Sequence, residues 1–587
     1  PDTRQPSLGF WAYDFKFIPI ETISGIYEGL LPRRGKRDQG VYYTPRFLAE
    51  FAIDVAIGDN KDWHKLRYLD PSCGSGVFLV TLFNRLATWW EIKHRDQEDD
   101  ANYNERKDDA LREILRNQIC GIDRNEQAGM LACFSLYVAL LDAFSPATIS
   151  EYIKQSKFRK LPKLMESPPA HADDENYLPV IHTRDTLNPQ TGNDEAFRNR
   201  FDVVIGNPPW GGKVRGSGDI AFQFLAGVKP FIKHGGSACL LLPSRLFLNL
   251  NSNDFQAQWL AENTLHRVVQ LADYRFVLFS EAQCPCMIIA FSPGPPAKST
   301  HELLYDAPKF NIASRRQGLV LISEGDRKSV TQARLRHAAE QGMAPITWKR
   351  LFWGTPRDQR FLNHLDTFPR LRERFADRKS GWIKGQGFIP DKRDRKGVLP
   401  RRWWEDSHLF LNAKSRRFGT DNILFEQDCE QVGHQFEVLY RSPDRELFLP
   451  PAILFNQGFT KFVYTDFPVL FRDAIQAIHA PAGEEDLLLF LLAFLQSDLA
   501  LYCCFHNSSM LGIERDVVRL EEVLDLPFPL PADAPSKQAA QIVHKVANRL
   551  RGEKATLLRL KRNMDDAAWL DVRAARTPGL KQFLDEM

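Results

Sequence analysis

Apolar residues fall in short runs along the first half of the chain, and stretches of helical spacing separate them. Residues 67–69, 118–122, 180–182, 202–205, 238–242, 267–271 and 286–291 each predict a short strand. Apolar positions three and four apart predict helices over 77–90 and 127–141. Strands alternating with helices indicate an α/β fold with a doubly wound, mostly parallel sheet. Before them, Phe15, Ile18, Ile23, Ile26, Tyr27 and Leu30 line one face of an expected N-terminal helical segment. Two polar stretches, 94–109 and 150–177, interrupt the pattern and are expected to be surface insertions.

The pattern changes after SPGPPAKST at 292–300, which reads as a linker. Residues 348–418 carry nineteen Lys/Arg against eight Asp/Glu, interleaved with Trp353, Phe361, Phe375, Trp382, Phe388, Trp403 and Trp404. Such a stretch suits phosphate contact and base stacking, and a solvated charged surface is the plainer alternative. Residues 487–505 predict one strongly apolar helix. Gln496, Ser497 and Asp498 interrupt it, which favours a protein core over a membrane. LDLPFPLP at 524–531 is an extended segment, and 537–560 predicts a basic amphipathic helix. The expected division is an N-terminal helical segment (1–40), an α/β domain (41–300), a mixed α+β domain (301–535) and a C-terminal helical segment (536–587).

Composition narrows the class. With 587 residues, 43% of them hydrophobic and 26% charged, the chain is a soluble globular protein of two or three domains. The net charge of +3 averages over unlike regions. The start mixes charges and aromatics without an apolar leader, so a cytoplasmic protein with no membrane partner is expected. The first residue is proline, which fits a processed chain or a piece of a longer one. The nine cysteines form no CxxC pair and have no histidine cluster beside them, so no metal site is expected and the thiols are expected to be reduced.

Five motifs carry candidate chemistry. In Asp70-Pro71-Ser72-Cys73-Gly74-Ser75-Gly76, a strand ends, small residues turn and a helix begins. Glycine lets a ligand approach the backbone, and N–H groups at the helix start can hold a carboxylate. A dinucleotide loop or a mere tight turn would also fit, although DPxxGxG is not the dinucleotide spacing. Asp123 ends the next strand in Cys120-Gly121-Ile122-Asp123, where a carboxylate can accept from a ribose diol or simply cap a helix. Asp185, after His182-Thr183-Arg184, can accept from an adenine amino group or act as an N-cap. Tyr43-Thr44-Pro45 reads as a helix start, with Thr44 as N-cap and Pro45 at the first helical position.

The fifth motif, Asn207-Pro208-Pro209-Trp210, follows an apolar strand and is the most informative. An exocyclic ring amine is a poor nucleophile because its lone pair is delocalised. Two acceptors on its two N–H bonds would draw the nitrogen toward tetrahedral geometry. The Asn207 side-chain oxygen and the Pro208 backbone carbonyl can be those acceptors, held rigid by the prolines. Trp210 offers a flat face for an extruded base.

In the order YYTP, DPSCGSG, GID, NPPW, the chain resembles N6-adenine DNA methyltransferases of the gamma arrangement, with cofactor motifs first, catalytic motif next and target-recognition domain last. The resemblance is nearest to type IIG restriction–methylation enzymes and related phage-defence methyltransferases, and it is best over residues 10–291. It implies a Rossmann-like methyltransferase domain using S-adenosyl-L-methionine. It implies that Tyr43, Thr44, Asp70, Pro71, Ser72, Cys73, Gly74, Gly76, Asp123 and Asp185 bind that cofactor. It implies that Asn207, Pro208, Pro209 and Trp210 act on the target adenine, with a second aromatic expected at Phe279. The later half then resembles a target-recognition domain for double-stranded DNA, with Arg393, Arg395, Lys396, Arg401 and Arg402 as DNA-binding candidates. Two positions depart from the family. Trp210 stands where Tyr or Phe is commoner, and Arg184 stands where glycine often precedes the Asp.

Three alternatives remain on sequence grounds. The substrate could be RNA or a protein glutamine, since an amide poses the same chemical problem. A non-catalytic DNA-binding subunit would need a damaged motif, and none is seen. Glu91-Ile92-Lys93 and Glu105-Arg106-Lys107 have the ExK spacing of one nuclease class, but each lies in a charged helical run. No phosphate-binding GxxxxGK(S/T) loop is present. If a nuclease or other defence subunits act with the chain, they are expected upstream of Pro1 or on a partner chain.

Overall fold

The computed structural model describes residues 44–97, 102–155, 159–166, 177–210, 220–278, 284–317, 319–377, 380–391, 401–419, 421–528 and 536–586. The N-terminal helical segment expected over 1–40 lies outside the described residues, as do Tyr43, Phe279, Arg393, Arg395 and Lys396. The chain divides into two compact units, Pro1–Leu351 and Phe352–Met587.

The first unit is built on a ten-stranded sheet in the order β10-β9-β7-β8-β6-β5-β1-β2-β4-β3. Its strands are β1 (Tyr68–Asp70), β2 (Ile119–Asp123), β3 (Lys163–Met165), β4 (Tyr177–Thr183), β5 (Phe201–Gly206), β6 (Ile232–Pro243), β7 (Asn263–Gln270), β8 (Cys286–Pro293), β9 (Glu302–Asp306) and β10 (Arg327–Thr331). From β3 to β6 every neighbouring pair is parallel. β8 runs antiparallel to both β6 and β7. All seven strands expected from the apolar runs are present. Helices α1 (Arg46–Ile57), α2 (Val77–Lys93), α3 (Tyr103–Asn117) and α4 (Glu126–Asp142) pack against its strands and one another. Strand β1 is too short to stand alone. It holds because all three residues are buried and it pairs with both β2 and β5.

Three expectations change here. The boundary placed at residue 300 moves to 351/352, because β9 and β10 continue the same sheet beyond the Pro-rich segment. Trp348 shows how firmly that stretch belongs to the first unit: its ring stacks on Phe247 at 5.0 Å, and its indole N–H donates to Gln256 Oε1 at 2.7 Å. The polar stretch 94–109 is not simply an insertion, since its end opens α3, which buries Leu111, Ile114 and Leu115. There Lys107 pairs with Glu91 at 2.5 Å, so the two ExK triplets face each other in an ion pair. The stretch 150–177 likewise supplies β3, which extends the sheet edge beside β4.

The second unit is mixed. A four-stranded antiparallel sheet joins Ile383–Gln386, Ile475–His479, Ala452–Asn456 and Phe462–Thr465, and a three-stranded and a two-stranded sheet accompany it. The single helix expected over 487–505 is two helices, Glu485–Gln496 and Asp498–Asn507, bent by 65°. Ser497 breaks them: its backbone is extended, and its hydroxyl caps the second helix at Ala500 N, 3.2 Å away. The expected basic helix is Lys537–Lys561, packed on Glu485–Gln496. No single helix among the described residues is long and apolar enough to cross a membrane.

The aromatics of the basic stretch are largely interior. Phe388, Trp404 and Trp382 are 0%, 4% and 7% exposed and sit in two hydrophobic clusters. Only Phe361 among the described ones is well exposed. Composition placed them on a contact surface. Burial of their large apolar area outweighs that arrangement, at roughly 25 cal/mol per Å².

Candidate active site

The C-terminal ends of four adjacent parallel strands carry the motif residues. In the order β5, β1, β2, β4, they present Asn207, Asp70, Asp123 and Asp185. This edge is where open α/β sheets place their ligands, because helix starts and turn N–H groups converge there.

Asp70 is 1% exposed, and its Oδ1 accepts from Ser72 N at 3.0 Å. The turn then passes through two left-handed glycines, Gly74 (φ 52°) and Gly76 (φ 87°), before α2 begins. At Gly76 a Cβ would lie 3.0 Å from the Ala132 Cβ of α4, so conformation and packing both require glycine. At Gly74 nothing lies within 4 Å of where a Cβ would be, so the space over the turn is open to a ligand. Pro71 is buried, and its carbonyl accepts a hydrogen bond from the Thr186 hydroxyl, which ties the Asp185 turn to the Asp70 turn.

Asp123 braces this cradle. Its Oδ2 accepts from Gly74 N at 2.9 Å and its Oδ1 from Asn125 N at 2.8 Å. Asn125, not Asp123, caps α4, through Gln127 N and Ala128 N. Each Asp123 oxygen keeps a second lone pair for an incoming donor. Asp185 is exposed, and its Oδ1 accepts from Leu187 N at 2.9 Å in a local turn. Arg184 is engaged elsewhere: it pairs with Glu166 at 2.5 Å and with Asp194, and lies 5.0 Å from the Phe197 ring centroid.

Asn207 follows β5 directly. Its Nδ2 donates to the Thr44 hydroxyl at 2.9 Å, and its Oδ1 is buried without a hydrogen-bond partner. The Ser72 hydroxyl oxygen, in the neighbouring turn, is likewise buried and unpartnered. Native interiors leave few such atoms, because each costs about 1–3 kcal/mol when unsatisfied. Gly206 joins the two features: a Cβ there would come within 2.6 Å of Asp70 Oδ1. Sequence reading passed over Gly206, although a glycine closing an apolar strand signals such a close approach. Trp210, expected to offer an open face, is 5% exposed and donates its indole N–H to Leu241 O at 3.3 Å. Thr44 is also not the expected cap. The N-cap of α1 is Pro45, with no side-chain cap bond, and Thr44 is 5% exposed.

Burial governs the electrostatics. It pushes the Asp70 carboxyl up to about 8, with the nearby Asp123 adding to the rise and the Ser72 N–H opposing it. Burial also raises Asp123, against the Asn125 and Gly74 N–H groups. It lifts the Cys73 thiol well above its ordinary value, so Cys73 is packing and not a nucleophile. Two carboxyls whose burial disfavours the charged form, set beside an open turn, suit a ligand that brings positive charge and donors.

In the second unit, Arg401 is exposed. Arg402 is committed, donating to Gly433 O at 2.7 Å and pairing with Asp406 at 2.6 Å.

Comparison with known proteins agrees with this arrangement. Residues 19–139 match the family model of the N-6 DNA methylases, and residues 117–276 match that of the Eco57I restriction-modification methylases. The chain is 38% identical over 65 residues to the Type II methyltransferase M.VspI of Vibrio sp. (strain 343), covering 11% of this chain and 15% of that protein. It is 24% identical over 193 residues to the adenine-specific methyltransferase PglX of Streptomyces coelicolor, covering 31% of this chain and 15% of that protein. The chain thus spans a small part of both relatives' length. In fold it resembles the type IIL restriction-modification enzyme MmeI, solved in complex with DNA, with a TM-score of 0.56 at 13% identity, over 97% of this chain and 78% of that one. Over residues 19–276 the chain is thus similar to the N-6 DNA methylase and Eco57I restriction-modification methylase families.

Proposed function

We propose that the chain is a site-specific DNA adenine-N6 methyltransferase that takes its methyl group from S-adenosylmethionine. The observation that carries this reading is the unpartnered buried oxygen of Asn207, set beside the Asp70–Gly76 cradle. The residues present fit the cofactor. The open space over Gly74, the unpartnered Ser72 hydroxyl and two raised carboxyls suit a zwitterionic, cationic ligand with a ribose. Asp70, the turn to Gly76 and the helix start after Thr44 would hold its methionine part. Asp123 would accept from the ribose, and Asp185 from the adenine edge. When bound, the cofactor supplies an electrophilic methyl group on a sulfonium.

This chain's residues then make a poor nucleophile competent. Asn207 Oδ1 accepts from one N–H of the target amine and the Pro208 carbonyl from the other. Together they localise the nitrogen lone pair and aim it. Neither acceptor is a base at neutral pH, so the N–C bond forms as the methyl leaves its sulfonium behind as a neutral thioether, and the extra proton is lost to water after transfer. Pro209 stiffens the segment. Trp210 and Phe279 are the aromatic candidates for stacking on an extruded base, and Trp210 acts so only once its ring is uncovered.

The first unit is read as a doubly wound Rossmann-like domain and the second as the target-recognition domain. Arg393, Arg395, Lys396 and Arg401 are its phosphate-contact candidates, with Arg402 reassigned to holding the loop. A place in restriction-modification or phage defence fits the families the chain resembles, with any nuclease supplied by further sequence or a partner.

The test is methyl transfer from radiolabelled S-adenosylmethionine to duplex DNA, RNA and ribosomal protein in parallel. Label in DNA adenine supports the reading. Label confined to RNA or protein rejects it.

A further inference from the structure

Thr44 lies one residue before the Pro45 N-cap of α1, and its hydroxyl does not cap that helix. It accepts instead from Asn207 Nδ2 at 2.9 Å, across 163 residues of sequence. We propose that Thr44 is a positioning residue whose hydroxyl holds the Asn207 amide in place with its oxygen toward the reacting amine. This rests on the adenine-N6 reading above and adds a residue to it.

The two ends of a carboxamide are alike in shape and opposite in hydrogen bonding, so a neighbour must choose between them. In the observed orientation the NH₂ end is held by Thr44 and the oxygen is left open. Rotated by half a turn, the NH₂ group would occupy the place where Oδ1 now finds no partner. Its two N–H bonds would then be buried beside an incoming amine that also donates. The hydroxyl could meet either end, so the choice is made at the far end of the amide: one open acceptor costs less than two unmet donors, and Thr44 holds the acceptor-out orientation so favoured. With Thr44 only 5% exposed, water competes weakly for the bond.

The hydroxyl is also held in place. Helix α1 packs on β5 and β6 through Leu48, Ala49, Ala52 and Ile53, each at most 1% exposed. The Cys239 thiol donates to Ala52 O at 3.5 Å, and Cys239 pairs in register with Ile205, two residues before Asn207. The segment carrying the hydroxyl and the strand carrying the amide are therefore fixed to the same strand pair. Under the functional reading the peptide N–H groups at this helix start serve the cofactor. The side chain and the backbone of Thr44 then have separate tasks, which a side-chain substitution can tell apart.

The test uses the full chain with Thr44→Val, Thr44→Ser, Asn207→Ala and the Thr44→Val/Asn207→Ala pair. Single-turnover methyl transfer is measured at saturating DNA and S-adenosylmethionine, and cofactor affinity by calorimetry. Thr44→Val is expected to slow transfer roughly 10- to 100-fold, because one misaligned group at the reacting centre has effects of that order. Its cofactor Kd should stay within about twofold, and Thr44→Ser should restore transfer to within about threefold. Transfer by Thr44→Val at the parent rate, or a loss seen only in cofactor affinity, overturns the proposal. If Thr44→Val does not fold, Thr44→Cys takes its place under the same criteria. If the parent methylates no adenine, the functional reading fails, and thermal unfolding still tests the contact. The double variant should then lower Tm by less than the sum of the single variants. Strict additivity would show that no such bond exists.

Discussion

Asp70 and Asp428 are both carboxylates withdrawn from solvent, and the two units treat them in opposite ways. In the second unit, Asp428 and Asp421 share Arg573, whose guanidinium makes bonds of 2.7 to 3.0 Å to both carboxylates and to Ile423 O. Phe425 and Trp569 lie within 5 Å of that guanidinium. The cluster is complete: four hydrogen bonds join one cation to two anions, and a fifth reaches a backbone carbonyl. In the first unit, Asp70 has one backbone N–H, no cation among the described residues, and two unpartnered oxygens close by in the chain's motifs. A satisfied buried charge holds a fold together. A buried carboxyl left with a single donor at a strand tip is the kind of group that marks a functional site.

The largest expected effect breaks the complete cluster. Arg573→Met leaves two carboxylates buried without their cation, and should cost the second unit about 3–5 kcal/mol in urea unfolding. A loss under about 1 kcal/mol would mean that the cluster is not what holds the C-terminal helices. Asn207→Ala comes next, in the incomplete region. Methyl transfer should fall about 10²- to 10³-fold while calorimetry finds the cofactor affinity unchanged. Near-parent turnover would remove Asn207 from the chemistry.

Asp70→Asn sharpens the comparison through pH. The folded Asp70 has its pKa raised from an ordinary 3.8 to about 8, so the folded state keeps a proton that the unfolded state loses. Its contribution to stability is full below the lower value and is lost as pH rises through about 8. Asp70→Asn should therefore flatten the decline of Tm between about pH 4 and pH 8, the window set by that shift. In the parent, S-adenosylmethionine affinity should rise as pH passes through about 8, where the folded carboxyl becomes charged, and the variant should lose that rise. Identical pH profiles would show that Asp70 neither titrates there nor meets the cofactor.

The smallest effect is at the surface of the second unit. Arg401→Glu should weaken binding to all DNA sequences alike and reduce the salt slope by about one, as loss of one phosphate contact does. Arg402→Glu should instead lower Tm, because its guanidinium is committed to Gly433 and Asp406. The reverse outcome would exchange their roles.

The same contrast explains what was legible in the sequence. The strand tips were, because their signals are local: apolar runs ending at Asp70, Asp123 and Gly206, a small-residue turn, and an Asn followed by two prolines. The bond between Thr44 and Asn207 was not, since nothing in either segment names a partner 163 residues away. Nor was the boundary at 351/352, because the Pro-rich segment 292–300 looks like a linker and is a connection between strands of one sheet. In the basic stretch, composition counted Trp382, Phe388 and Trp404 correctly but could not say which way they face. Burial turned them inward.

The central claim is that the open acceptor of Asn207 serves the N6 amine of adenine. The measurement that meets it most directly is mass spectrometry of nucleosides from unmodified duplex DNA incubated with the purified chain and methyl-labelled S-adenosylmethionine. The account predicts labelled N6-methyladenine, absent when Asn207→Ala replaces the parent. Label on cytosine, or N6-methyladenine formed equally by the Asn207 variant, would contradict it.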